Sequence, residues 1–144
     1  MISRTPIEGF NKKFDVVSSF IDHKGETLLL HRQEHKPQGN KWAMVAGKVD
    51  KREDLLDALI REIDEEIGVK VAKEQCKYFE GYYVRYPDFD FMYHVYHIPL
   101  SEKPLLSINL EEHKDHQWIA PIDALKLDLI EDEDSCIKWF YGVE

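Results

Sequence analysis

Apolar residues recur along the chain with two different periods, and the change of period predicts the elements. "FDVVSSFID" (Phe14–Asp22) and "ETLLLHR" (Glu26–Arg32) read as strands, with "HKG" between them as a hairpin turn. The polar stretch "EHKPQGN" holds Pro37 and Gly39 and predicts a loop, and "KWAMVAGKV" reads as a short extended piece ending at Gly47. The spacing then becomes helical, with Leu55, Leu56, Leu59, Ile60, Ile63 and Ile67 on one side. Asp54 is the expected N-cap, Asp57 takes the capping-box position, and Gly68 is the expected left-handed stop. Aromatic-rich strands follow in "YFEGYYVRY" and "FDFMYHVYHI", parted by "PD". "HQWIA" reads as a short strand, "PIDALKL" as a helix opened by proline, and "EDEDSCIKWFYG" as a last short helix with acids at its N-terminus. Strands mixed with a few helices predict an α/β or α+β fold, and no repeat, low-complexity tract or linker divides residues 1–144 into more than one domain.

Composition narrows the function classes. Hydrophobic residues make up 43% and charged residues 33%, as in a soluble globular chain. A formal charge of −9 argues against nucleic-acid binding through a basic face, while leaving room for an anionic small molecule where cations are local. Cys76 and Cys136 fit no metal-binding spacing and read as free thiols of a reducing compartment. The start "MISRTPIEGF" has no apolar run for export and no later run could span a bilayer, so the cytoplasm is the expected location.

The helix from Leu55 to Ile67 carries Glu62, Asp64, Glu65 and Glu66 close together, where like charges repel. On an idealised wheel with Glu62 at zero, Glu65 falls at about −60° and Glu66 at about +40°. The apolar residues sweep from about +20° to about +160°, while Asp57, Asp64 and Arg61 fill the outer arc. Glu62, Glu65 and Glu66 therefore border the core instead of opposing it. Converging carboxylates in that position raise one another's pKa or take a cation, and an all-oxygen set suits Mg²⁺ or Mn²⁺ but not zinc.

The stretch from Gly47 to Val69 resembles the signature of the Nudix hydrolases, G-x5-E-x7-R-E-U-x-E-E-x-G-U. It is met here by Gly47, Glu53, Arg61, Glu62, Ile63, Glu65, Glu66, Gly68 and Val69. The approach "NKWAMVAGKVD" and the late "EEHKDHQWIAPIDAL" are similar to the family's flanking segments, although Val45 and Ala46 stand where proline and glycine are frequent. The resemblance implies an α/β/α sandwich with a mixed sheet. It also implies metal-dependent attack of water on the pyrophosphate of a nucleoside diphosphate linked to another group X.

By that resemblance Glu65 and Glu66 are metal ligands, Glu62 is a ligand or the base that deprotonates water, and a backbone carbonyl near Ala46 or Gly47 completes the shell. Arg61 and Glu53 would pair and brace the loop against the helix. Glu112, with Glu111 as its rival, is the candidate for a further carboxylate. Arg32 and Lys48 are nominated for phosphate contacts. His94 and His97 point to opposite faces of a strand and cannot share one metal, and His113 and His116 could converge only on a helix. Tyr86 stands at the distance past the box where some hydrolases of dinucleoside polyphosphates carry tyrosine, and Pro87 matches a habit of ADP-ribose hydrolysing relatives. Asp134, with Asp132 and Glu133 beside it, lies where hydrolases of oxidised purine nucleoside triphosphates read the base. The short chain favours a nucleoside triphosphate or a similar compact nucleotide. Dinucleoside polyphosphates, ADP-ribose or nucleotide sugars, and a non-catalytic nucleotide-binding module are the alternatives. A small-molecule partner is expected, with neither nucleic acid nor membrane, and a homodimer is compatible with the sequence.

Overall fold

The computed structural model describes residues 1–144 and contains an eight-stranded sheet. Its strands are β1 (Ile2–Ser3), β2 (Lys12–His23), β3 (Glu26–Arg32), β4 (Trp42–Ala43), β5 (Val45–Lys48), β6 (Lys77–Arg85), β7 (Asp90–Pro99) and β8 (His113–Ile119). Three helices accompany them, α1 (Leu55–Ile67), α2 (Pro121–Ala124) and α3 (Glu133–Tyr141). The order across the sheet is β1-β6-β7-β2-β3-β4, with β5 also on β2 and β8 also on β3. β2 and β7 run parallel, from Phe14 against Phe91 to Asp22 against Pro99, while the other pairs are antiparallel. This is the mixed α/β arrangement the sequence predicts.

The β2–β3 hairpin turns on Lys24 and Gly25, both at positive φ (47° and 81°), the combination a tight two-residue turn requires. Immediately after it the two strands part. β3 pairs with β2 only at Asp22–Thr27 and His23–Glu26, then takes β8 and β4 as its partners, and β5 lines β2 from Val16 to Ser19 instead. The parting opens a cleft lined from β3, β4 and β5 and from α1. Apolar side chains fill both faces of the sheet. Val17, Leu28, Leu30 and Val45 pack with Leu59, Ile63 and Ile67 of α1, and on the other face Phe20, Leu29, Tyr82 and Val95 pack with Cys136 and Ile137 of α3.

Asp54 is the N-cap of α1, as the sequence predicts, but Asp57 does not return the bond of a capping box and its carboxylate lies 3.4 Å from Lys73 instead. The Asp54 side chain accepts from the Asp57 N–H at 2.8 Å, and Gly68 ends the helix at φ 67°. Ala58 is buried as well as Leu59, Ile63 and Ile67, so the helix meets the sheet on a broader face than its branched residues alone define. Elsewhere the elements differ from expectation. "KWAMVAGKV" breaks at Met44 into β4 and β5, β8 begins at His113 instead of His116, and "PIDALKL" yields only the short α2. β1 and a 3₁₀ turn at Lys73–Gln75 carry too few residues to show a period.

Candidate active site

Glu62 is held where helix and sheet touch. A Cβ at position 47 would overlap the Glu62 carboxylate, so only glycine lets β5 and that side chain lie together. Burial raises the Glu62 carboxyl to about 7, with Glu65 and Glu66 adding to the effect and Arg61 opposing it. The Arg61 guanidinium donates to both Glu53 oxygens at 2.7 and 2.8 Å, to Glu62 Oε1 at 2.9 Å, to Glu65 Oε2 at 3.2 Å and to the Lys48 carbonyl at 3.2 Å. The wheel put Arg61 on the outer arc. Its long side chain instead folds back over the carboxylates, leaving it 29% exposed. Those bonds hold Glu53 down to about 2 and raise Arg61 further, so both stay charged. Helix, loop 49–54 and strand β5 are thereby tied through one cation.

The facing wall comes from the segment before β8. Ser107 N–H donates to the Ile67 carbonyl at 2.8 Å and Asn109 N–H to the Glu66 carbonyl at 2.9 Å, which satisfies carbonyls at the end of α1 and fixes the segment there. Asn109, Glu112 and His113 thus join Arg32, Ala46, Gly47, Glu62, Glu65 and Glu66 around one cleft of about 360 Å³. Glu112, not the exposed Glu111, lines it. Lys36 holds Glu112 Oε1 at 2.8 Å and lowers its pKa.

Of the residues nominated for substrate, Arg32 lines the cleft and its Nε donates to the Pro37 carbonyl at 2.8 Å. Lys48 does not line the cleft, because strand alternation turns it away from Gly47 and sets its ammonium 4.1 Å from the centre of the Phe14 ring. Tyr86 lies outside the cleft too. It borders a small cavity with Phe91, Tyr93 and Glu133, and burial raises its hydroxyl to about 12. Asp134 points to solvent beside Lys138, at 4.0 Å. Its neighbour Glu133 is the inward acid, 2% exposed, with Oε1 accepting the Met44 N–H at 2.7 Å. Which acid of "EDEDS" turns inward depends on where α3 starts. The sequence alone left that open.

His113 was missed as a member of the site. It is 6% exposed, and its Nδ1 lies 2.9 Å from Glu66 Oε2, out of line for a hydrogen bond, so both buried atoms remain without a hydrogen-bond partner. The signal available was its place beside Glu112, but without the extent of β8 the side it faces is unreadable.

No three His, Cys, Asp or Glu side chains are arranged as a ready-made ion cage. The donors nevertheless fit a hard divalent ion. The cleft is lined by carboxylate oxygens, and the buried, unbonded Glu66 Oε2 is the kind of atom a cation satisfies.

The sequence profile of the NUDIX domain matches residues 12–140. The chain belongs to the Nudix family. The CTP pyrophosphohydrolase of Escherichia coli strain K12 is 28% identical over 118 residues, which span 82% of this chain and 84% of that protein. Among solved structures, the E. coli ORF135 protein superposes with a TM-score of 0.77 at 25% identity, covering 96% of this chain and 94% of that one. The MutT Nudix hydrolase of Burkholderia pseudomallei shares the fold, with a TM-score of 0.76 at 21% identity over 88% of this chain and 97% of its own. Family and relatives together make the chain a Nudix hydrolase. Hydrolases of this family generally use divalent metals. No helix is long and apolar enough to cross a membrane.

Proposed function

We propose that this Nudix hydrolase is a Mg²⁺- or Mn²⁺-dependent pyrophosphohydrolase of nucleoside triphosphates. The observation that carries the reading is the Glu62 carboxylate, set against Gly47 and held by Arg61 in the cleft that Glu65, Glu66 and Glu112 also line. Glu65, Glu66 and Glu112 would hold the ion, with a carbonyl at Ala46 or Gly47. When bound, the ion would neutralise charge on the phosphate oxygens. Glu62 is the proton acceptor for the attacking water: it lines the cleft beside Glu65 and Glu66, and the Arg61 guanidinium orients it at 2.9 Å. Arg61 aims it, and Glu53 keeps Arg61 in place. Arg32 faces the phosphates from the opposite wall. The nucleoside lies against Met44 and Ile130, and Glu133 fixes that wall from behind through the Met44 N–H. The likeness to a CTP pyrophosphohydrolase supports a triphosphate over a dinucleotide.

A panel of nucleoside triphosphates, dinucleoside polyphosphates and nucleotide sugars, each with Mg²⁺ and with Mn²⁺, tests this. Pyrophosphate release from a triphosphate is the expected result. Turnover confined to the other two classes would replace the substrate, and none at all would leave a nucleotide-binding module. Gly47→Ala should push Glu62 out of position and lower kcat roughly tenfold, with circular dichroism unchanged.

Metal linkage gives a readout apart from turnover. An ion at about ten times its Kd stabilises the native state by about 1.4 kcal/mol, equivalent to about 5 °C in Tm. Calorimetry with Mn²⁺ against chelator should show that rise, and Glu66→Gln should shrink it. Identical melting of the parent in both solutions would remove these carboxylates as the ion's holders in the free enzyme.

A further inference from the structure

Where β2, β5 and the β6–β7 turn meet, Phe14 and Phe89 form the floor of an open groove of about 530 Å³, and Lys13, Lys48 and Lys51 stand around it. The two rings are 5.3 Å apart, and Phe14 is backed by Phe91 at 5.2 Å, so the floor is rigid and aromatic. Most of the chain's other lysines lie against a carboxylate. These three have no acid partner, although the chain carries −9 overall. The one acid at the rim, Asp50, is 3.7 Å from Arg61, which draws its charge toward the cleft. Lys48 rests over Phe14 by a cation–π contact alone, a weak hold at an exposed site.

Unmatched cations around a floor of two aromatic rings, tilted 49° to one another, suit a planar ring that carries phosphate and can stack on one of them. We propose that this groove is a second nucleotide site, taking a 5′-phosphorylated nucleoside with its base on Phe89 and the edge of Phe14 and its phosphate among Lys13, Lys48 and Lys51. The groove shares no lining residue with the cleft, and the two are linked through the chain from Gly47 to Lys48. Its wall, Val49 to Lys51, belongs to the loop that Arg61 ties down, and the Lys48 carbonyl is itself bonded to Arg61 at 3.2 Å. The same chemistry has two sources, a free mononucleotide or the far half of a dinucleoside polyphosphate whose polyphosphate lies in the cleft. The second source rests on the hydrolase reading above. The first does not.

The test begins with binding. The full chain, labelled with ¹⁵N and kept in chelator, is titrated with AMP and separately with inorganic phosphate. AMP is expected to shift the amides of Lys13, Phe14, Lys48 to Lys51 and Phe89. Its Kd should weaken at least about tenfold in the Lys13→Glu/Lys51→Glu double variant and also in Phe89→Ala. Shifts elsewhere only, an unchanged Kd in both variants, or phosphate binding as tightly as AMP would each overturn the proposal. Because no turnover is measured, failure here is separate from failure of the hydrolase assignment. Kinetics then separates the sources. For the linked form, the double variant loses about tenfold in kcat/KM for diadenosine tetraphosphate and keeps that for the best triphosphate. For the free form, added AMP changes triphosphate turnover in the parent and has no effect in the variant.

Discussion

Glu62→Gln is expected to lower kcat at least about a hundredfold while KM for the same nucleotide changes less than about threefold. The substitution keeps the shape that Gly47 accommodates and keeps an oxygen for Arg61, so the helix, the loop and the cleft stay as they are. What is lost is the negative charge and the ability to take a proton. An interaction that matters only as the water attacks shows in kcat, whereas one that holds substrate shows in KM. Steady-state kinetics on the best substrate of the panel, with the fold checked by circular dichroism, reads this directly. A variant with near-parental kcat at low metal would return Glu62 to a structural part.

Glu133→Gln should flatten the dependence of stability on pH. The buried carboxyl is raised to about 7 from an ordinary value of 4.5, with desolvation as the main cause. A raised pKa in the native state means that the folded chain holds its proton more tightly than the unfolded chain. That stability is complete below about pH 4.5 and is lost as pH rises through about 7. Over that window the loss amounts to about 3 kcal/mol. Glutamine still accepts the Met44 N–H and has no charge to desolvate. Urea unfolding at pH 5 and pH 8 should therefore show the parent losing stability relative to the variant by about that amount, the chain's other acids cancelling in the comparison. An equal change in both proteins would mean that Glu133 titrates normally.

The parts of the site that were legible in the sequence are the local ones. Capping by Asp54, the helical period and the stop at Gly68 each operate within a few residues, so α1 and the grouping of Glu62, Glu65 and Glu66 could be placed without a partner. Lys48, Glu133 and His113 could not. Lys48 follows a residue in the cleft yet faces away because β5 is a strand, and "KWAMVAGKV" showed no alternation sharp enough to say so. Glu133 and Asp134 differ by one position in a helix whose start lies in a run of acids, and packing against Met44 decides between them. His113 owes its place to β8, whose partner strand β3 lies far back in the chain. Arg61 shows a further limit. A wheel gives the direction of a Cβ, while a long side chain can return to charges that its backbone faces away from.

The parting of β2 and β3 also bears on how the protein emerges from synthesis. All of α1, with its crowded acids, exists as chain well before residues 105–113 are made, and the carbonyls of Glu66 and Ile67 in its last turn take their partners from that later segment. β2 in turn waits for β7, since their parallel pairing joins Phe14 to Phe91. Long-range pairings of this sort form late. A ribosome-bound fragment that stops short of β8 would thus carry the complete Nudix box and still lack the wall that makes it a cleft. The carboxylates of the box are made well before the segment that walls them in.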